Sequence, residues 1–238
     1  MIKKLLSLIK IEIKTILNLV HHRLYISSRM EKNLVDSFHK LYFDSRRWGK
    51  NWGNTYWLGA QTLKCPTDFW CYQEIIYQLR PDVIIETGTA HGGSALFLAS
   101  ICDIVDKGKI FTIDTEEDKK RPKHKRINYL LGSSIDPKII AQVKKNIKLG
   151  DKVLVILDAI HKKDYVMKEL AIYSKIVTKG SYIIVEDTNI NKIRPDFGEG
   201  PLEAAREFMK TNKNFVVDKT REKFYLSFNN GGYLKKVK

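Results

Sequence analysis

The sequence predicts an α/β fold in which a mostly parallel seven-stranded sheet is closed by an antiparallel strand and flanked by helices. Three observations predict it. From about residue 82, short apolar runs rich in β-branched residues alternate with helical stretches, the pattern of a sheet covered on both faces. The first run ends in a glycine-rich turn that opens a helix, Glu86-Thr87-Gly88-Thr89-Ala90-His91-Gly92-Gly93-Ser94. The last runs are joined by Asn229-Asn230-Gly231-Gly232, a turn signal suited to an antiparallel return.

Element by element, strands are expected at Val83–Thr87, Lys109–Ile113, Ile127–Leu131, Val153–Asp158 and Ser181–Glu186. Helices are expected between them at Gly93–Asp103, Pro137–Leu149, Lys162–Val177 and Pro201–Thr211. Phe215–Lys219, Lys223–Phe228 and Tyr233–Lys236 read as closing strands. Upstream, helices are expected around Ser27–Tyr42 and over Pro66–Leu79, with Thr67 or Asp68 near the start of the second. Between them lies an aromatic, Gly-punctuated stretch from Trp48 to Gly59. Such a loop suits a lid or substrate wall, or a cover for the sheet's edge. The expected division is an N-terminal helical and lid segment over 1–62, then a Rossmann-like domain over 63–238.

The chain has 238 residues, 43% hydrophobic and 29% charged, enough for a full core and unlike a disordered chain. Net charge is +15, which favours anionic partners such as acidic glycans, nucleotide-linked substrates or a membrane surface, or reflects a solvated basic face. No RNA-binding signature accompanies it, so nucleic acid is not an expected partner. Cys65, Cys71 and Cys102 are odd in number and lack CxxC spacing. They argue against a disulfide framework or a zinc site and for a reducing, cytoplasmic compartment.

Over residues 1–20, Ile2, Leu5, Leu6, Ile9, Ile13, Ile16, Leu17 and Val20 follow helical spacing. Lys3, Lys4, Lys10, Glu12 and Lys14 interrupt the run, so it is too charged to span a bilayer. It also lacks a signal-peptide cleavage pattern. Two readings follow: a helix packed in a homo-oligomer interface, or a basic amphipathic helix lying on the inner face of a membrane.

The turn after the first strand carries the first chemistry. Glycines at 88, 92 and 93 let the backbone approach a ligand, and the N–H groups at the helix start can hold a carboxylate. The spacing is not the dinucleotide G-x-G-x-x-G. Instead Glu86 stands two residues before Gly88, which suits the ammonium and carboxylate of the methyl donor S-adenosylmethionine; a purely structural turn is the other reading. Gly88, Thr89, Gly92, Gly93 and Ser94 are the candidate loop contacts. Asp114 closes the second strand, where a carboxylate receives a ribose diol. Ser133 and Ser134 follow the third strand and are placed near the adenine.

Two further strand ends carry acids, Asp158 and the pair Glu186-Asp187. Carboxylates converging on one crevice repel one another unless a cation binds them. Oxygen ligands of this kind suit Mg²⁺ or another hard divalent ion, although each acid could instead cap a helix. His161 lies three residues after Asp158. It is the candidate base for an acceptor hydroxyl, with Asp158 beside it and the metal lowering the hydroxyl's pKa.

These residues also carry a resemblance. Lys64-Cys65-Pro66-Thr67-Asp68-Phe69-Trp70, Ile85-Glu86-Thr87-Gly88, Gly92-Gly93-Ser94-Ala95-Leu96, Leu157-Asp158-x-x-His161, Val185-Glu186-Asp187-Thr188-Asn189 and Gly200-Pro201-Leu202-Glu203-Ala204 resemble the cephalosporin hydroxylase/rhamnosyl O-methyltransferase family over roughly residues 40–236. The resemblance implies a class I methyltransferase fold, S-adenosylmethionine and often Mg²⁺. The chain is also similar to macrolide-sugar O-methyltransferases, which implies Asp158, Glu186 and Asp187 as metal ligands and His161 as base. Those relatives often carry Asp or Asn just before the histidine, where this chain has Ile160.

The leading expectation is methyl transfer to a sugar hydroxyl of a glycan, glycolipid or nucleotide-linked sugar. A metal-dependent hydroxylase, or its accessory subunit, is the alternative. Iron oxygenases need two histidines and a carboxylate, and His91 is the one further candidate. A non-catalytic protein retaining the donor pocket is the third.

Overall fold

The computed structural model describes residues 2–238. Side chains at 2–5, 22–24 and 48 fall outside that description, and with them Ile2, Lys3, Lys4 and Leu5 of the N-terminal pattern and Trp48 of the aromatic stretch. The chain divides into two compact units, residues up to Leu41 and Tyr42–Lys238.

In the first unit, α1 (Ile2–Tyr25) follows the expected stripe, and its side chains Leu6, Ile9, Ile13, Ile16, Leu17 and Val20 stand exposed. Among the described residues no helix is long and apolar enough to cross a membrane. α2 (Ser28–Asp44) begins after Ser27, whose Oγ accepts from the Met30 N–H at 3.3 Å and so meets one of the donors a helix start leaves open.

The second unit opens with a hairpin that the sequence reading did not anticipate, β1 (Tyr56–Trp57) and β2 (Ala60–Gln61). Leu58 and Gly59 link them with φ of 47° and 83°, the left-handed pair a two-residue hairpin turn demands. Next come α3 (Pro66–Leu79), β3 (Val83–Thr87), α4 (Gly93–Ile104), β4 (Lys109–Asp114), β5 (Ile127–Leu131), α5 (Pro137–Lys145), β6 (Val153–Leu157), α6 (Lys163–Tyr173) and β7 (Tyr182–Val185). The short α7 (Ile190–Ile193), then α8 (Pro201–Thr211), β8 (Phe215–Val217) and β9 (Tyr233–Lys236) complete it. The sheet order is β5-β4-β3-β6-β7-β9-β8. β3 to β7 run parallel, and β9 returns antiparallel to both β7 and β8.

Every residue of β3, β6 and β7 is buried, which explains their unbroken apolar runs. Alternate residues serve opposite faces. Ile85, Val155, Leu157 and Val185 pack with Leu170 of α6 and Phe208 of α8. Ile84, Leu154, Ile156 and Ile184 pack with Ile75 of α3 and Leu98 of α4. Each such side chain contributes about 1.5–3 kcal/mol on burial, so the sheet's centre is a rigid base for its carboxyl-end loops.

Three expectations are corrected. α5 stops at Lys145, before a turn in which the Lys148 N–H donates to Asp151 Oδ2 at 2.8 Å. α6 stops at Tyr173, four residues before Val177. Lys223–Phe228 is no strand at all. Its end is held by Asp68, buried on α3, which accepts from Ser227 Oγ at 2.6 Å, Phe228 N–H at 2.9 Å and Tyr233 OH at 2.8 Å. Side-chain anchoring, not a strand ladder, satisfies this segment's polar groups.

Candidate active site

Sheet order reverses between β3 and β6, so the loops after Thr87 and Leu157 diverge and leave a crevice at their carboxyl ends. A cavity of about 450 Å³ opens there, within the range of small-molecule sites. Gly88, Thr89, Ser94, Asp114, Ser134, Asp158, His161 and Asp187 all line it.

On the donor side, Gly88 has φ of 84°, and a Cβ there would stand 2.0 Å from the Asp158 carbonyl oxygen. Only glycine allows β3 and β6 to approach this closely. Asp114 Oδ2 accepts from the Thr89 and Ala90 N–H groups at 3.0 and 2.9 Å and lies 3.3 Å from Arg121 Nη2. The carboxylate is thereby held at the cavity edge with its turn already organised.

Other expected donor contacts stand further back. Glu86 is fully buried, where its Oε2 accepts from Thr112 Oγ1 at 2.7 Å, and it does not line the cavity. Burial pushes its carboxyl up, against the pull of Lys64. Gly92 and Gly93 are also outside the lining. Gly93 is there for packing: a Cβ would meet the Gln61 carbonyl oxygen of β2 at 2.2 Å. Ser133 is outside the lining and turns to Tyr165, with 2.8 Å between the hydroxyls, whereas Ser134 lines the cavity while its Oγ donates to Glu169 Oε1 at 2.7 Å.

On the acid side, His161 Nε2 lies 3.1 Å from Asp158 Oδ1 and 3.2 Å from Asp187 Oδ2. These three residues offer one oxygen, one nitrogen and one oxygen, all within 4.8 Å of one another. Asp187 takes φ of 52° just past β7, a left-handed turn that aspartate tolerates better than most residues. Glu186, the other acid of the pair, is elsewhere. It is buried, and its Oε2 accepts from Lys64 Nζ at 2.6 Å. The same ammonium donates to Asp158 Oδ2.

The electrostatics follow from that layout. Burial pushes His161 down, but Asp187 and Asp158 outweigh it and hold the imidazole up at about 9. Burial pushes Asp158 up, yet Lys64 and His161 bring it below the usual carboxylate range. Glu186 stays well above that range through burial and the neighbouring Asp158, and Asp187 is raised by burial. Lys64 is held charged by Asp158 and Glu186 against its own desolvation.

Sequence reasoning passed over Lys64, Phe43, Arg46 and Arg194, which the fold brings here, while Trp52 belongs to the aromatic stretch expected as a lid, a substrate wall or an edge cover. Lys64 lies 94 residues from Asp158 and 122 from Glu186, and nothing local marks it apart from other lysines. Phe43, Arg46 and Trp52 form a further wall of the cavity. The Arg46 guanidinium sits 4.6 Å above the Trp52 ring, and Trp52 packs edge-on to Phe228 at 5.7 Å. The aromatic density around residues 48–57 was the available signal. Ile160 and Arg194 also face this space. His91 does not. It is half exposed and 3.6 Å from Asp118, so among the described residues His161 is the one histidine lining the cavity.

The family model described as Rhamnosyl O-methyltransferase/CmcI matches residues 49–237. This chain belongs to that family. A rhamnosyl O-methyltransferase of Mycobacterium tuberculosis is 34% identical over 183 residues, spanning 74% of this chain and 73% of that protein. One from Mycobacterium leprae is 33% identical over 215 residues, 87% and 92% of the two chains. Among solved structures, a Mg–SAM structure of CmcI superposes with a TM-score of 0.60 at 20% identity, over 81% of this chain and 84% of the other. The O-methyltransferase TomG of Streptomyces achromogenes, solved with SAM, gives 0.51 at 15% identity, over 74% and 82%. Both likenesses concern the fold, a class I methyltransferase sheet. The rhamnosyl O-methyltransferase/CmcI match takes in the β1–β2 hairpin, Lys64 and both the donor and acid walls, while Phe43 and Arg46 precede it.

Proposed function

We propose that this chain is an S-adenosylmethionine-dependent O-methyltransferase that uses Mg²⁺ or another divalent ion to methylate a hydroxyl of a sugar, carried on a glycan, glycolipid or nucleotide. One observation carries the reading: a single cavity holds the Gly88–Asp114 turn on one side and Asp158, His161 and Asp187 on the other. The named relatives of M. tuberculosis and M. leprae are rhamnosyl O-methyltransferases, which supports a sugar acceptor. The hydroxylase alternative is not favoured.

The residues present fit both groups. Asp114 faces the cavity with backbone N–H groups already fixing its orientation, as a diol acceptor requires. Asp158 and Asp187 offer hard oxygen donors beside His161. When bound, S-adenosylmethionine supplies the methyl group, and the divalent ion supplies Lewis acidity that lowers the acceptor hydroxyl's pKa. Asp158 and Asp187 would hold the ion. At about 9 the imidazole carries a proton at neutral pH. With those two carboxylates engaged, His161 Nε2 would be the group placed to accept the acceptor hydroxyl's proton. Gly88 and Thr89 orient the donor, and Phe43 and Trp52 supply rings on which a sugar's C–H face can rest.

We further infer that the exposed stripe of α1 serves either homo-oligomerisation or peripheral contact with an anionic membrane. The buried thiols of Cys65, Cys71 and Cys102 support a reducing, cytoplasmic setting.

The reading is tested by calorimetric titration of S-adenosylhomocysteine into the purified protein, with Mg²⁺ and then with EDTA, followed by turnover on rhamnosides. Micromolar binding with turnover that EDTA abolishes is expected. Absence of binding under both conditions would overturn it.

A further inference from the structure

Among the described residues, Lys64 is the one lysine or arginine that touches two of the three acids at the strand ends. It precedes α3, is almost wholly buried, and places its ammonium between Asp158 and Glu186. Its contact to Glu186 is 2.6 Å, and it is also the neighbour that opposes the burial of Glu86. A buried lysine in such a position is not a surface ion pair of marginal value. Removing one partner of a buried pair leaves the other charge stranded in a poor dielectric.

Asp158 is shared between two sets of neighbours. Lys64 donates to its Oδ2, and Asp158 is also one of the three residues, with His161 and Asp187, whose ligand atoms lie within 4.8 Å of one another. Lys64 and a divalent ion therefore draw on the same carboxylate.

We propose that Lys64 is a resident counter-ion for Asp158, which would hold the ion, and for Glu186 beside it. It keeps Asp158 and Glu186 in position before the ion arrives and limits how tightly the ion is then held. This is a positioning role, and it rests on the divalent-ion reading above. Since a single positive charge close to a divalent one repels it strongly at the low effective dielectric of a buried site, its loss raises affinity for the ion.

The test uses Mn²⁺ as probe, with free ion counted by electron paramagnetic resonance, on wild type, Lys64→Met and Lys64→Arg. Thermal unfolding of each is recorded with and without Mn²⁺. Lys64→Met is expected to bind Mn²⁺ at least tenfold more tightly than wild type. Its unfolding midpoint should fall without the ion and recover with it, more steeply than the wild type's. Lys64→Arg, which keeps the charge, should stay within threefold of wild type. A Lys64→Met protein recovered folded only in the presence of Mn²⁺ is the strong form of the same result. Equal or weaker Mn²⁺ binding by Lys64→Met would overturn the inference while leaving the metal reading intact. So would a Lys64→Met protein that Mn²⁺ cannot rescue while Lys64→Arg folds. If neither wild type nor Lys64→Met binds Mn²⁺, both the inference and the metal reading fall.

Discussion

Glu169 supports the cavity from below, and its carboxyl gives a stability effect that can be worked from the structure. It lies on α6, fully buried, with Oε1 accepting from Ser134 Oγ at 2.7 Å. No lysine or arginine forms a salt bridge with it among the described residues. Burial pushes the carboxyl from 4.5 to about 7. The folded protein therefore binds this proton more tightly than the unfolded chain does. The resulting stabilisation is complete below about pH 4.5 and is lost as the pH rises through about 7. The gap between the two values corresponds to at most about 3 kcal/mol. Glu169→Gln keeps the volume and the bond from Ser134 but removes the charge. It should match wild type near pH 4.5 and exceed it by up to about 3 kcal/mol near pH 8, or about 6–12 °C in Tm for a chain of this size. Urea unfolding of both proteins across that range measures it, and titrating groups that do not interact with Glu169 cancel in the difference. A difference that stays flat with pH would refute the reasoning.

Four further outcomes are expected. Asp158→Asn should cut turnover by about a hundredfold or more through loss of a metal oxygen, with S-adenosylhomocysteine affinity by calorimetry changed less than about threefold. Gly88→Ala should destabilise the fold by at least about 2 kcal/mol, since its φ is left-handed and its Cβ would meet the Asp158 backbone; denaturant unfolding and calorimetry should show lower stability and lost donor binding together. Trp52→Ala should raise the acceptor KM about tenfold, from the loss of a ring contact of about 1–2 kcal/mol, and leave donor affinity unchanged. EDTA should abolish turnover and added Mg²⁺ restore it, measured as transferred methyl label.

Much of the scaffold was legible because the central parallel strands β3, β6 and β7 are buried on both faces. Their unbroken runs of Val, Ile and Leu have no other economical explanation, and each ends where a loop must begin. Acids at those ends were legible for the same reason: Asp114, Asp158 and Glu186 are the residues at which an apolar run stops. What was not legible has a different physics. Lys223–Phe228 has the aromatic content of a strand, but its backbone is claimed by Asp68, about 160 residues earlier. Glu186 and Asp187 are adjacent in sequence, so nothing local separates them; strand alternation turns one toward Lys64, and a left-handed φ turns the other toward His161. Lys64 itself required the fold, because its significance lies wholly in two partners that are distant along the chain.

The Asp68 anchor has a consequence for the order in which this protein can be assembled. The residues that satisfy Asp68 follow it by 159 to 165 positions, and Phe228 among them is also the ring on which Trp52, Tyr42 and Phe43 lean. On a ribosome, the parallel strands can pair as they emerge, but the aromatic wall has nothing to rest on until the closing hairpin has been made. Contacts of such long range are formed late and slowly. The aromatic wall of the cavity, with Phe43 and Trp52 resting on Phe228, can therefore be completed only once the last residues of the chain are in place.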